Sequence, residues 1–201
     1  MKYILVFILN FYTLLHCYGQ TLKEEYNACA VEKFNQKDYK GATDYFSRVI
    51  ELYPNDSMAY FDRGIVKDNL KDYAGAIADY TQQLTIDHGH IDSYFLRGID
   101  TYILKKYADA IADFDRVIEL EDKNADAYYY RGLAKEAQHN LAGAVEDYGF
   151  AIAINPENKE YYLHRGKTKI ALGHKASGWL DIKTYKKMGG DAGNIPVNKD
   201  N

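Results

Sequence analysis

An Arg-Gly pair returns every 34 residues along this chain: Arg63-Gly64, Arg97-Gly98, Arg131-Gly132 and Arg165-Gly166. A tyrosine stands three residues before each arginine, at Tyr60, Tyr94, Tyr128 and Tyr162. One further step back reaches Tyr26, where Cys29-Ala30 replaces Arg-Gly. Five repeats follow without an insertion: 23–56, 57–90, 91–124, 125–158 and 159–192. A segment this short cannot bury its apolar faces alone, so the repeats must stack and share a core.

Each repeat reads as two helices. In 57–90 the spacing predicts helices over 58–70 and 74–87, with Lys71-Asp72-Tyr73 as the turn and Asp87-His88-Gly89-His90 as the exit. Ala76, Tyr80 and Gln83 fall at i, i+4 and i+7, one face of a helix. The matching sets are Ala42, Phe46, Val49; Ala110, Phe114, Val117; and Ala144, Tyr148, Ala151. Gly64 and Ala76 are small enough to let two helix backbones approach, with the rings of Tyr60 and Tyr80 filling the space on either side.

This pattern resembles the tetratricopeptide repeat family, whose unit is also 34 residues long. Within 125–158 the family's positions fall on Tyr128, Gly132, Ala144, Tyr148, Ala151 and Pro156, and Pro54 holds the proline place in the first repeat. The resemblance implies an all-α fold, a right-handed α-solenoid of five helix-turn-helix units over 20–192. It also implies a concave groove for a protein or peptide, in a family that rarely catalyses a reaction itself. The chain departs from the pattern in places. Arginine replaces the leucine before the glycine in four repeats, and Lys33, Lys67, Thr101, Lys135 and Lys169 replace the tyrosine three residues after it. Gly178 and Ile182 in the fifth repeat suit a terminal cap whose outer face meets water. Residues 193–201 read as a flexible tail.

The start of the chain has a different character. Lys2 precedes an apolar stretch over 3–15, then Cys17-Tyr18-Gly19. That length fits the core of a signal peptide and is short of the ~20 residues of a membrane-spanning helix. Residues 1–19 are therefore expected to be a signal peptide cut before Gln20. Export would lead to the periplasm or cell surface in a bacterium, and otherwise into the secretory pathway. The alternative is a membrane-tethered, self-assembling structural component anchored by residues 3–15. A membrane would then be engaged only through an uncleaved or lipidated N-terminus. Beyond such a cut only Cys29 remains, which excludes an intrachain disulfide.

An inward-facing arginine needs a partner, because an unpaired buried charge is costly. Sixteen residues after each one stands an aspartate, which predicts the pairs Arg63–Asp79, Arg97–Asp113, Arg131–Asp147 and Arg165–Asp181. The first repeat has Cys29 and Tyr45 at these places and lacks both members together. Cys29 itself is expected to be a buried structural residue.

The family's groove is lined by first helices, which places Phe61, Phe95 and Tyr129 on it, with Ile65, Ile99 and Leu133 one turn on and Asp92 and Asp126 at its edge. The family's clamp for a terminal carboxylate is absent, because Phe61, Asp62, Asp92 and Leu96 occupy its places. The expected partner is a protein or peptide with apolar or aromatic anchors and neutral or basic character. A net charge of −4 gives no electrostatic footprint for nucleic acid. No nucleophile elbow, phosphate loop or zinc-protease motif occurs, so neither an enzyme nor a cofactor is expected. His88-Gly89-His90 lacks the further ligands of a metal site and reads as an inter-repeat turn.

Overall fold

The computed structural model of the chain describes residues 20–191. The expected signal peptide over 1–19 and the tail over 193–201 lie outside the described residues. Within them the structure is all-α. Helix α1 covers 20–35. It is followed by α2 (Tyr39–Leu52), α3 (Ser57–Asn69), α4 (Tyr73–Ile86), α5 (Ile91–Ile103), α6 (Tyr107–Leu120), α7 (Ala125–Ala137), α8 (Leu141–Ile154), α9 (Lys159–Ala171) and α10 (Lys175–Lys187). Consecutive helices pair within repeats. The chain divides into an N-terminal half ending at Ser93 and a C-terminal half beginning at Tyr94.

The helices of 57–90 begin a residue earlier than the periodicity predicts, and for α4 the cap explains it. Asp72 accepts a hydrogen bond from the backbone N–H of Gly75 at 3.0 Å, so Tyr73 is already the first helical residue. Asp38 caps α2 and Asn140 caps α8 in the same way. Before each cap the chain leaves the preceding helix through a left-handed residue: Lys37, Lys71, Lys105, His139 and Gly173. The N–H of Lys71 bonds the carbonyl of Asp68, and that of Asp72 bonds Lys67, which closes α3 with a paired C-terminal motif. The same bonds recur after α1, α5, α7 and α9. One rigid turn, repeated, thus sets the angle between the helices of each pair.

The packing beneath the turns corrects the expected role of the glycines. A side chain at Gly64 would lie 2.5 Å from the Tyr80 ring, at Gly98 2.8 Å from Phe114, and at Gly132 2.7 Å from Tyr148. The glycine makes room for the ring of the second helix rather than for its backbone. In the fifth repeat, where Ile182 replaces the ring, backbone meets backbone at Gly166 and Gly178. Tyr60 lies against Arg63, 5.7 Å from ring centre to guanidinium carbon. Tyr80, Phe114 and Tyr148 are fully buried, each contributing about 2–3 kcal/mol by removal from water.

Candidate functional site

The predicted ion pairs are two-pronged contacts between first and second helices. Arg63 donates through Nε and Nη2 to the two carboxylate oxygens of Asp79, at 2.9 and 2.6 Å. Arg97 grips Asp113 at 3.0 and 2.6 Å, Arg131 grips Asp147 at 2.9 and 2.6 Å, and Arg165 grips Asp181 at 2.8 and 2.7 Å. This fork is the strong form of a charge-assisted bond. The aspartates are buried. Each arginine also lies over the tyrosine three residues before it, 5.3–5.8 Å from the ring centre. The recurring Tyr-x-x-Arg-Gly is thus one structural device: a ring under a cation, a cation on a carboxylate, and a gap for the partner helix's ring.

Sequence reasoning missed a third member. Lys67, Lys135 and Lys169 reach the same carboxylates, at 2.7, 2.8 and 2.9 Å. The lysines were visible as departures from the family tyrosine, four residues after each arginine. Where the aspartate is missing, Lys33 turns instead to Asp38 at 3.1 Å. Where the lysine is missing, Thr101 bonds the backbone carbonyls of Arg97 and Gly98. The two carboxylates respond oppositely. Burial pushes Asp113 above the usual carboxylate range, and Arg97 pulls against it without prevailing. Burial also pushes Asp181 upward, but Arg165 and Lys169 together hold it below that range.

A second missed pairing lies twelve residues before the buried ring. Tyr80 donates its hydroxyl to Asp68, and Tyr148 donates to Glu136 at 2.6 Å. In the repeat whose ring is Phe114, with no hydroxyl, the acid's place holds Tyr102. Cys29 departs from its expected burial and is partly exposed. It has no Arg–Asp bridge over it, and Tyr26 meets Tyr45 beside it.

The expected groove residues are half-buried rather than open. In the N-terminal half Phe61 sits against Tyr80 and, edge-on at 4.6 Å, against His90. Ile65 follows one turn on, also half-buried. In the C-terminal half Phe95 contacts Phe114 and Tyr130, and Ile99 packs on the same cluster. Tyr129 is enclosed by Tyr130, Tyr148, Tyr161 and His164, and Leu133 is half-buried. Burial, reinforced by Tyr130 and nearby carboxylates, raises the Tyr129 phenol far above its ordinary value. Burial also depresses His164, keeping it neutral near pH 7. Asp92 and Asp126 are exposed, and Asp126 accepts a hydrogen bond from Tyr161.

His88 and His90 do not converge. His88 Nδ1 lies 2.6 Å from the carbonyl of Leu84, while His90 Nδ1 lies 3.0 Å from Ser93 Oγ and accepts from the Ser93 N–H. His90 thus caps α5 from the place that Asn124 and Asn158 hold before α7 and α9.

Helix pairs closed by one repeated turn, with first-helix rings over second-helix rings, define a helical repeat protein. The tetratricopeptide repeat profile matches residues 30–87 and 102–159, and the chain belongs to that family. No curated protein matches it in sequence. Solved structures match it in fold. A MamA structure, residue 41 to the end, from Desulfovibrio magneticus RS-1 superposes with a TM-score of 0.80 at 20% identity, covering 84% of this chain and 95% of that one. Another MamA crystal structure gives 0.81 at 20% identity, covering 87% and 98%. YrrB, described as a TPR protein with an unusual peptide-binding site, gives 0.75 at 16% identity, covering 83% and 86%.

Proposed function

We propose that this protein is an exported, non-enzymatic interaction scaffold that binds an extended segment of a partner protein on its first-helix faces. Proteins of this family are protein–protein interaction scaffolds. One observation carries the placement. The arginines are consumed by Asp79, Asp113, Asp147 and Asp181, so they offer no cationic stripe, whereas Phe61, Ile65, Phe95, Ile99, Tyr129 and Leu133 retain partial exposure. Aromatic and aliphatic side chains in that state anchor a segment by completing their burial. Asp92, Asp126 and Glu160 add acid at the edge, which favours a neutral or basic segment. Export rests on the apolar stretch over 3–15. Among the described residues no helix is long and apolar enough to cross a membrane.

The test uses twelve-residue segments selected from a random display library on the full chain. Phe95→Ala with Tyr129→Ala should weaken a selected segment at least about tenfold, the loss of two modest anchors. Phe95→Leu with Tyr129→Leu, which keeps most of the volume, controls for folding and should weaken it less. Unchanged affinity in a folded Ala/Ala variant would sink the placement.

A further inference from the structure

We propose that the N-terminal half holds a pocket for one basic side chain, a lysine or arginine of the bound segment, with Asp62 as its counter-charge. A cavity of about 170 Å³ is lined by Val31 and Phe34 of α1, Phe46 of α2, and Asp62, Ile65 and Val66 of α3. Phe46 and Val66 belong to the buried core and form its floor, with Phe34 packed on them. Val31, half exposed, stands at its mouth. This is room for several waters, enough for a four-carbon stem and a charged head.

Asp62 is the one charged group in this lining. It is half-buried, and among the described residues no ion pair engages it. Burial pushes its carboxyl above the usual range; Asp56 adds to the push, and His90 opposes it. Lys23 does not help, because it is committed to Asp56 at 2.7 Å. Nor does the scaffold require an acid here. The same place in the other repeats holds Ala28, Leu96, Tyr130 and His164. Asp79, Asp113, Asp147 and Asp181 are gripped by arginine or lysine, whereas among the described residues Asp62 has only His90 set against its desolvation cost. An apolar wall ending in a carboxylate outside any ion pair of the described residues suits a side chain that is aliphatic along its length and cationic at its tip. A carboxylate or an aromatic ligand would leave Asp62 worse off.

This assignment rests on the segment-binding reading, and the experiment separates the two. Blocked pentapeptides Ala-Leu-X-Leu-Ala, with X as lysine, norleucine or glutamate, are titrated into the full chain. Binding is followed by the methyl resonances of Val31, Ile65 and Val66. The lysine probe should bind about tenfold more tightly than the norleucine probe. Asp62→Asn, checked for folding by circular dichroism, should bring that ratio close to one, and Asp62→Lys should favour the glutamate probe. Equal binding of lysine and norleucine, or a ratio unchanged by Asp62→Asn, would overturn the pocket while leaving segment binding standing. The pocket also falls if no probe moves these methyls, and segment binding is then judged by the Phe95 and Tyr129 variants. Methyl shifts that track protein concentration would give the pocket to a second copy of the chain and overturn the assignment.

Discussion

Asp113 and Asp181 occupy the same place in two repeats and differ by one neighbour. Asp181 has Arg165 and Lys169; Asp113 has Arg97 alone, since Thr101 stands where the lysine would be. Removing the arginine therefore costs unequally. Arg97→Ala leaves a buried carboxylate with no cation and should destabilise by about 3 kcal/mol at pH 7, whereas Arg165→Ala leaves Lys169 in place and should cost about half as much. The pH dependence has a sign. Asp181, depressed in the folded chain, contributes stability above the ordinary carboxylate pKa and loses it as pH falls through its lowered value. Asp113, already raised, is raised further without Arg97, so the folded variant takes up a proton before the unfolded one does. The Arg97→Ala deficit should shrink on acidification from pH 7 toward 5, and the Arg165→Ala deficit should not. Denaturant midpoints across that range check both, and equal deficits at pH 7 would contradict the geometry.

At the scale of the helix pair, the turn decides the angle and carries strain in four of its five copies. Lys37, Lys71, Lys105 and His139 have φ of 60–63°, a region that costs a non-glycine residue about 1–2 kcal/mol. Gly173 adopts it freely. Lys105→Gly should raise stability by about 0.5–1 kcal/mol, after the entropy glycine loses on folding. Thermal unfolding measures it, and a lower Tm would show that Lys105 makes a compensating contact. This feature was not legible in the sequence. Period and face spacing locate a helix pair, but a lysine gives no local sign that its backbone is left-handed. The caps were legible in part: Asp72 and Asn140 lie in the right residue class, while His90 acts as a cap only because its Nδ1 accepts from the Ser93 N–H where an asparagine oxygen would. The Arg–Asp pairs could be read because both members vanish together in the first repeat. The Lys and Tyr–acid partners obey the same kind of offset rule, at twelve residues.

For the molecule as a whole, two sets of repeat-spaced apolar residues, each set called a row for its order along the sequence, compete for a bound segment. One is the half-buried row of the first helices, Ile65, Ile99 and Leu133 beside their rings. The other sits at the ends of the second helices, where Leu52, Ile86, Leu120 and Ile154 recur at the repeat spacing and are 36–49% exposed. Sequence reasoning placed the first row through family resemblance and passed over the second, since an apolar residue near a helix end carries no mark of its exposure. Exposure alone favours the second row. The first has the anchors: aromatic rings held rigid by their neighbours and acids beside them, whereas the second is bare aliphatic. The account therefore turns on which row a bound segment covers. Methyl chemical shifts of the full chain with and without a display-selected segment read both rows in one spectrum. The prediction is that Ile65, Ile99 and Leu133 shift while Leu52, Ile86, Leu120 and Ile154 stay in place; shifts confined to the second-helix row would contradict it.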